Sequence, residues 1–288
     1  MTTWEDAAVR EAVIPQGTIR YRELGTGDPI VFVHGFLNNG LLWRKVAPEL
    51  AQDFRVIVPD WPLGSHELPM REGTDLSPPG LARIVADFLS ALELENVTLV
   101  GNDTGGAICQ LVAVSHPERV GRLVLTPCDA YDNFLPTLFK PLTLAARVPG
   151  AIRVIGHALR PRMARRLPIA FGWLAKHGIP DEVTDAYLAP GLGDRRVRRD
   201  IETILRGISK RHTVEAARRL REFDRPVLIA WATEDRVFPL RYGERLARDF
   251  RDARLERVED SYTYVSEDQP ERTARLIAEF ARAPVAAA

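Results

Sequence analysis

One stretch decides the fold of this chain: residues 96–111, with the sequence NVTLVGNDTGGAICQL. The strand-forming run Val97 to Val100 stops at Gly101, and small residues follow. A helical pattern then runs from Ala107 to His116 and is closed by Pro117. The stretch therefore predicts a buried strand, a sharp turn and a helix.

The turn itself, residues 101–105, has the pattern G-x-X-x-G with Asp103 at its centre. This is the pattern of a nucleophile elbow, in which glycines flank the central residue because strand and helix backbones nearly touch. The central side chain projects above the sheet edge, at a helix N-terminus that favours an anion. The alternative is that Asp103 only caps the helix, but a cap does not account for glycines on both sides.

The chain before the elbow predicts strands and helices in alternation. A hairpin is expected from Val9–Ile14 and Thr18–Leu24, because both segments alternate around Pro15-Gln16-Gly17. Buried strands are expected at residues 29–33 and 55–58, and helices at residues 41–50 and 80–94.

The chain after the elbow predicts one more strand, at residues 122–126, and then a change of pattern. Residues 130–221 carry no strand pattern, and prolines break their helical spacing repeatedly. Strands are expected again at residues 226–232 and 254–258, with helices at residues 240–250 and 270–281 and a frayed tail at residues 282–288. We therefore predict a core of residues 1–129 and 222–288, interrupted by a helical cap of residues 130–221.

Buried strands that alternate with helices predict an α/β fold with a mostly parallel sheet and helices on both faces. Polar side chains should gather where the strands end at their carboxyl edge. Five candidates follow a predicted strand and are expected on this one edge: His34, His66, Asp103, Asp129 and Asp235.

Composition excludes several classes of function. The 288 residues are 45% hydrophobic and 27% charged with a formal net charge of zero, as in an ordinary globular protein. No nucleic-acid motif, paired metal-ligand spacing or phosphate-binding loop occurs, so neither a metal nor another cofactor is expected. No apolar run is long enough to cross a bilayer, so we expect a cytoplasmic protein with a small-molecule partner and no membrane partner.

Charge is nevertheless uneven along the chain. The segment 130–221 contains eighteen Lys and Arg against eight Asp and Glu. Solvated helix faces would explain this excess, and a basic lid that attracts anionic substrates is the alternative. The sequence does not indicate an oligomeric state.

The order of these motifs resembles the α/β-hydrolase superfamily over nearly the whole chain. The resemblance rests on the hairpin, His34-Gly35-Phe36, residues 60–64 (DWPLG), the elbow, the cap, residues 231–235 (WATED), and the final strand and helix. With an aspartate at the elbow, the chain is most similar to the haloalkane dehalogenase and epoxide hydrolase branch.

The resemblance implies a role for several residues. Asp103 would attack an sp³ carbon that carries a halide or an epoxide oxygen and form an alkyl-enzyme ester. The backbone amides of Phe36 and Thr104 would stabilise developing negative charge. Asp235 occupies the position of the acid that orients the catalytic histidine, and Asp129 occupies the other position where relatives keep this acid.

The catalytic histidine of the family is missing. Counting back from Gln269-Pro270 places Thr263 in its position, and no histidine follows His212. A threonine hydroxyl is not a base near neutral pH, so ordinary ester hydrolysis lacks its general base. His66 could substitute for it, although a loop or entrance residue is the alternative.

Further residues are expected around the substrate. His34 would support the loop that carries Phe36, and Trp61, Asn102, Asp129, Tyr131 and Tyr187 would line the pocket. Tyr131 and Tyr187 could also donate a proton to an epoxide oxygen, with packing as the alternative. Two features depart from the family: Thr104 stands where dehalogenases place a halide-binding tryptophan, and Leu37 stands where many epoxide hydrolases have proline.

The leading hypothesis is a hydrolase that acts on a small, largely apolar substrate through attack by Asp103. A lyase or isomerase-like enzyme with Asp103 as general base is the first alternative, and it needs no replacement for the histidine. A ligand-binding protein that has lost turnover is the second.

Overall fold

The structure, a computed structural model, describes residues 2–283. Its centre is an eight-stranded sheet in the order β1-β2-β4-β3-β5-β6-β7-β8. Strands β1 and β2 form an antiparallel hairpin, β2 pairs antiparallel with β4, and all later neighbours are parallel. The strands are β1 (Ala8–Ile14), β2 (Gly17–Leu24), β3 (Pro29–Val33), β4 (Arg55–Pro59), β5 (Val97–Asp103), β6 (Val120–Cys128), β7 (Val227–Ala232) and β8 (Ala253–Val258).

Helices fill the connections between the strands. The core contains α1 (Ala47–Leu50), α2 (Pro78–Ala91), α3 (Thr104–Ser115), α10 (Leu240–Asp249), α11 (Val265–Asp268) and α12 (Pro270–Arg282). The segment between β6 and β7 contains α4 (Pro141–Ala145), α5 (Ala151–Ala158), α6 (Arg162–Arg165), α7 (Asp181–Gly193), α8 (Arg195–Gly207) and α9 (Lys210–Ala217). Short 3-10 helices lie at residues 40–43, 117–119, 137–139 and 220–222. We call residues 130–221 the cap segment.

The central strands are buried on both faces, as their continuous apolar sequences predict. Every residue of β5 and β7 is buried, and β3, β4 and β6 each have only one residue that is not fully buried. The parallel strands therefore end at a common edge, which the loops after β3, β5, β6 and β7 share. This edge carries His34, Asp103, Asp129 and Asp235.

Several predicted element boundaries differ from the structure, and β5 and β6 are longer than expected. The helix expected at residues 41–50 is divided into a 3-10 turn and α1, because Pro48 lacks the N–H that a continuous helix needs at that position. Helix α2 begins earlier than predicted, because proline is tolerated in a first turn and the Ser77 side chain accepts a hydrogen bond from Gly80. Helix α3 begins at Thr104, directly after Asp103.

The cap segment is helical, with no strand in any of its residues. Its only β-type contact is an isolated bridge between Ala130 and Asn133. The predicted tail falls mainly on residues 284–288, which lie outside the described residues.

Candidate active site

Asp103 lies at the junction of β5 and α3 in a strained conformation, with φ 52° and ψ −131°. A positive φ at a residue other than glycine costs about 1–3 kcal/mol and marks functional turns. The turn has no room for larger neighbours: a Cβ at Gly105 would lie 2.3 Å from the carbonyl oxygen of Val33, and one at Gly106 would lie 2.3 Å from Cβ of Cys128. The flanking glycines are therefore required by the close approach of strand and helix.

The Asp103 carboxylate lies over Gly35. A Cβ at Gly35 would be 2.2 Å from Oδ2 of Asp103, so the loop after β3 must have glycine there. Although Asp103 is the N-cap residue of α3, its side chain makes no capping hydrogen bond to the first turn. The carboxylate is thus held against the loop of Gly35 and does not serve as a helix cap.

Burial raises the pKa of Asp103 to about 7. The backbone N–H groups of Thr104 and Phe36 interact with the carboxylate and lower its pKa, whereas the negative charge of Asp235 raises it. No Lys or Arg among residues 2–283 forms an ion pair with Asp103. The carboxylate is therefore stabilised by two amides and has no counter-ion.

Asp129 is a second buried carboxyl group beside the elbow. Its Oδ2 accepts a hydrogen bond from Oγ1 of Thr104 at 3.1 Å, and its Oδ1 has no hydrogen-bond partner in the described part of the chain. Burial, with the charge of Asp103, holds the pKa of Asp129 well above its ordinary value. The pair therefore favours a state in which Asp129 keeps its proton.

Asp235 lies in the turn after β7 and is also buried. Its Oδ1 accepts hydrogen bonds from the backbone N–H groups of Val237 and Phe238, both at 2.7 Å. Burial raises the pKa of Asp235 to about 7, against the lowering effect of these donors. Its Oδ2 is buried and has no partner among residues 2–283.

Thr263 meets Asp235 at the place where the family has a histidine–carboxylate contact. Oγ1 of Thr263 donates to Oδ1 of Asp235 at 3.2 Å, and Thr263 is fully buried. The carbonyl oxygen of Thr263 accepts a hydrogen bond from Nδ2 of Asn102 at 2.8 Å, which ties its loop to the elbow. The side chain that contacts Asp235 from this loop is therefore a threonine hydroxyl.

Asp268 in α11 fixes the shape of the Thr263 loop. Its Oδ2 accepts from the backbone N–H of Tyr262 at 2.9 Å and of Lys176 at 2.8 Å, and its Oδ1 accepts from the N–H of His177 at 2.9 Å. One carboxylate thus joins the Thr263 loop to the cap segment.

His34 supports the loop after β3. Its Nδ1 lies 2.9 Å from the carbonyl oxygen of Gly35, and its Nε2 accepts from the backbone N–H of Trp61 at 2.9 Å. Burial lowers the pKa of His34 to about 3. His34 is therefore neutral, with the proton on Nδ1, and both nitrogens are engaged.

His66 is buried at the junction between core and cap, with both ring nitrogens in contact with other groups. Its Nδ1 accepts from the backbone N–H of Gly64 at 3.3 Å, and its Nε2 lies 3.2 Å from Oδ2 of Asp200 in α8. No hydrogen bond connects His66 to Asp103 or to Asp235 in the described residues. The structure does not give this ring a nitrogen that faces the elbow.

A small apolar cavity of about 40 Å³ lies between the core loops and the cap segment. The core contributes Phe36, Leu37 and Gly64, and the cap contributes Leu142, Ile152, Ile155, Gly156, Leu159, Tyr187, Leu188, Gly191, Leu192, Ile201 and Leu205. Phe36 links this cavity to the carboxylate, because its backbone amide interacts with Asp103 while the residue forms part of the wall.

Tyr187 lines the cavity and has an unpartnered hydroxyl group. It is 1% exposed, and its hydroxyl oxygen has no hydrogen-bond partner in the described chain. Burial raises the pKa of Tyr187 well above its ordinary value, so the phenol keeps its proton. Tyr187 is therefore available as a donor to a bound ligand.

Four of the five residues expected to line the pocket do not line this cavity, and Asp129, beside the elbow, is one of them. Trp61 packs into the core and donates its indole N–H to the carbonyl oxygen of Phe32 at 2.8 Å. The Tyr131 hydroxyl donates to Oδ2 of Asp249 in α10 at 2.8 Å. Nδ2 of Asn102 donates hydrogen bonds to the carboxyl end of β6 and to the Thr263 loop. Asn102 therefore connects these two segments to the elbow.

Sequence reasoning missed Tyr264, which is fully buried next to the site. Its hydroxyl donates to Oδ1 of Asn38 at 3.0 Å, and the charge of Asp103 adds to burial in raising its pKa. The only sequence signal was its place beside Thr263. Polar and apolar residues follow one another in this loop without a period, so the sequence does not predict whether the tyrosine ring is buried or exposed.

This arrangement brings the Asp103 carboxylate to two amide donors, with two further buried carboxyl groups, Asp129 and Asp235, at the same sheet edge. It supplies no imidazole in hydrogen-bond contact with them among residues 2–283. The same residues contain no group of three or more His, Cys, Asp or Glu side chains that could hold a metal ion. Across these residues, no helix combines the length and apolar character needed to span a bilayer.

Comparisons with known proteins agree with this fold. Residues 30–276 match the model of the alpha/beta hydrolase family. Haloalkane dehalogenase 2 of Mycobacterium tuberculosis is 28% identical over 271 residues, which cover 92% of this chain and 91% of that protein.

Two solved structures have the same fold. An alpha/beta hydrolase fold protein from Burkholderia ambifaria gives a TM-score of 0.79 at 24% identity, over 94% of this chain and 97% of that one. Haloalkane dehalogenase DbeA from Bradyrhizobium elkani gives 0.78 at 18% identity, over 96% and 98% of the two chains. At these identities the structural likeness shows the fold alone.

Proposed function

The chain belongs to the alpha/beta hydrolase family, and on that premise we propose that it acts on a small, apolar, electrophilic molecule through attack by Asp103. One observation carries the proposal. The Asp103 carboxylate is presented at a strained turn, faces two backbone amides, and has no cationic partner in the described residues. A structural aspartate buried to this extent would be expected to have a counter-ion or a full set of hydrogen bonds.

In the first step, a carboxylate oxygen of Asp103 forms a bond to an sp³ carbon of the substrate. The bond from that carbon to a halide or an epoxide oxygen breaks with its electron pair, which leaves an alkyl-enzyme ester. Tyr187 would donate its phenolic proton to an epoxide oxygen, since its hydroxyl is unpartnered at the cavity wall. The apolar lining of the cavity suits a substrate without charge.

In the second step, water attacks the ester carbonyl, and the amides of Phe36 and Thr104 stabilise the oxyanion that forms. Collapse of this intermediate breaks the bond from the carbonyl carbon to the alkyl oxygen, the alkoxide takes up the proton removed from the water and leaves as an alcohol, and the Asp103 carboxylate is restored. We propose Asp235 as the group that takes the proton from this water. Its Oδ2 has no partner, and a pKa of about 7 suits a general base near neutral pH. His66 is assigned a structural role here, because both of its ring nitrogens already have partners.

A second candidate function has Asp103 as a general base in a lyase or isomerase-like reaction. The observation that favours it is the pKa of Asp103 of about 7, which allows the carboxylate to accept a proton near neutral pH. In this case no ester forms, and no base is needed to hydrolyse one. The haloalkane dehalogenase among the relatives favours the first candidate.

Intact mass after incubation with bromoalkanes and epoxides tests the proposal, with Asp103→Asn as the matched control. A mass gain equal to the alkyl group, absent from Asp103→Asn and mapped to the peptide of Asp103, is the expected result. Turnover without a stable adduct supports the same step if solvent ¹⁸O enters Asp103 during a single turnover.

The rival functions predict other results. Deuterium exchange at an acidic C–H of a bound carbonyl compound, without an adduct, would favour the general-base enzyme. Saturable binding of apolar ligands with neither adduct nor exchange would favour a ligand-binding protein and contradict attack by Asp103.

A further inference from the structure

The outer part of the cap segment has a charge pattern unlike the rest of the chain. Residues 133–180 contain eight Lys and Arg and no Asp or Glu, although the whole chain has 39 of each type. A protein with zero formal net charge has no general attraction for anions, so any such attraction must be local.

The same region also exposes apolar side chains. Eight large apolar side chains are exposed in the described residues, each by half or more, and six of them lie between residues 144 and 169. These six are Leu144, Val148, Val154, Met163, Leu167 and Ile169. Apolar side chains concentrated on one part of a surface indicate an interaction site, whereas single scattered ones do not.

Several cations of this region have no counter-ion. Lys140, Arg147, Arg153 and Arg160 are exposed, and none forms an ion pair within residues 2–283. Arg153 also lines a surface depression in which arginines of α8 outnumber the two glutamates, Glu72 and Glu202. The unpaired cations and the exposed aliphatic side chains therefore occupy the same short helices, α4 to α6 and the turns between them.

We propose that the exposed side chains of residues 140–169, the outer cap surface, dock on an anionic lipid bilayer. Aliphatic groups among unpaired cations match a bilayer interface, where the former enter the acyl boundary and the latter meet anionic headgroups. A nucleic acid would use the cations but leave the aliphatic side chains in water. The proposal departs from the expectation of no membrane partner, which rested on the lack of an apolar run long enough to span a bilayer. No helix among residues 2–283 can span one, but docking at the interface requires no spanning helix.

Helix α5 connects the outer cap surface to the cavity. Ile152 and Ile155 line the cavity, while Arg153 and Val154 between them are exposed on the opposite side. Docking would therefore place the roof of the cavity at the lipid interface. That an apolar substrate enters from the bilayer rests on the proposed function, but the docking itself does not.

Sedimentation with lipid vesicles tests the docking. The protein should bind vesicles of phosphatidylcholine and phosphatidylglycerol in equal parts and not vesicles of phosphatidylcholine alone. Binding should be released at about 1 M salt, where the Debye length falls to about 3 Å. The substitutions Arg147→Gln with Arg153→Gln should weaken partition roughly 25-fold, since each cation near an anionic surface contributes about fivefold.

Matched controls separate the outer cap surface from charge in general. Arg248→Gln with Arg251→Gln removes two exposed cations elsewhere and should leave binding unchanged. Val154→Ser with Met163→Ser should weaken binding, whereas Val9→Ser with Val13→Ser in β1 should not. Thermal unfolding of each variant checks that the fold is kept.

Three outcomes would overturn the proposal. Equal binding to neutral and anionic vesicles, or no binding at all, contradicts an electrostatic docking surface. Binding that the two cap variants do not weaken places the contact elsewhere. A dimer in sedimentation equilibrium that Val154→Ser dissociates assigns the surface to a second copy of this chain.

Discussion

At the scale of a single residue, two requirements act in opposite directions on the ionisation of Asp103. Burial favours its protonated form, while attack on carbon requires the anion. The amides of Thr104 and Phe36 offset part of the desolvation without supplying a positive charge that would occupy the oxygens. The result is a carboxylate whose pKa of about 7 leaves it partly ionised near neutral pH.

The rate of ester formation should rise with pH through about 7 and level off above it, because only the ionised carboxylate attacks. About one tenth of the enzyme is ionised one unit below that pKa, and about nine tenths one unit above it. Initial rates of adduct formation by intact mass, from about pH 5 to 9, measure the profile. A flat profile would show that Asp103 is ionised throughout and that burial does not govern its charge.

The residue at position 263 should control the rate at which the alkyl-enzyme ester is hydrolysed. Replacing it by histidine, Thr263→His, should place an imidazole against Asp235 and raise the rate of ester hydrolysis by roughly 10²–10⁴, the usual range for a positioned base. The measurement is the decay of the adduct after excess reagent is removed.

Thr263→Val is the matched control, because it keeps the shape of the side chain and removes its hydroxyl donor. It should give no increase in hydrolysis, and it should raise the pKa of Asp235 further by removing one donor to Oδ1. Equal decay in the histidine variant and the parent would mean that the remaining groups are not arranged for hydrolysis.

At the scale of the element, the β5–α3 turn depends on space that only glycine leaves. Gly105→Ala would put a Cβ 2.3 Å from the carbonyl oxygen of Val33 and 2.4 Å from that of His34. Because both contacts are backbone atoms that cannot rotate away, we expect a loss of about 2–4 kcal/mol in the free energy of unfolding. Denaturant unfolding followed by far-UV circular dichroism measures this loss.

Gly193→Ala, at the end of α7, is the control for the loss of glycine flexibility alone. A Cβ at that position meets nothing within 4 Å, so the free energy of unfolding should change little or rise by about 0.5–1 kcal/mol. Equal effects of the two substitutions would contradict the argument from close packing at the elbow.

The same elements show how far the sequence predicts the structure. The hairpin, the parallel strands and the strand–turn–helix of the elbow follow from local periodicity and turn residues, and the structure contains all of them. The division of the helix at residues 41–50 depends on one proline, and α11 is too short for any periodicity to indicate it.

The site is predictable only in part, for a physical reason. Asp103, Asp129 and Asp235 follow strands, so the topology places them on one edge. The side-chain orientations of other residues depend on hydrogen-bond partners that are distant in sequence. Trp61 is oriented by Phe32, Tyr131 by Asp249 and His66 by Asp200. A hydrogen bond across 134 residues, as between His66 and Asp200, leaves no local pattern.

At the scale of the whole molecule, buried carboxylates join the cap segment to the core. Asp268 of α11 accepts hydrogen bonds from two cap amides, at Lys176 and His177. On the other side, Asp200 of α8 accepts from the backbone N–H of Met70 at 2.9 Å and contacts His66 at 3.2 Å. The cavity lies between core and cap, so these contacts determine how firmly it is closed.

Asp200→Asn should loosen the cap, because the change removes the charge that His66, Arg199 and the Met70 amide share while leaving the His66 and Met70 donors buried. We expect a loss of about 2–4 kcal/mol in the free energy of unfolding. Glu67→Gln, which breaks an exposed ion pair with Arg20, should change it by less than about 0.5 kcal/mol. Hydrogen exchange should accelerate in α8 of Asp200→Asn and remain as in the parent in β5 and β6, since the core sheet does not depend on this contact. Unchanged exchange in α8 would show that the cap is held by other contacts and that Asp200 only satisfies its neighbours.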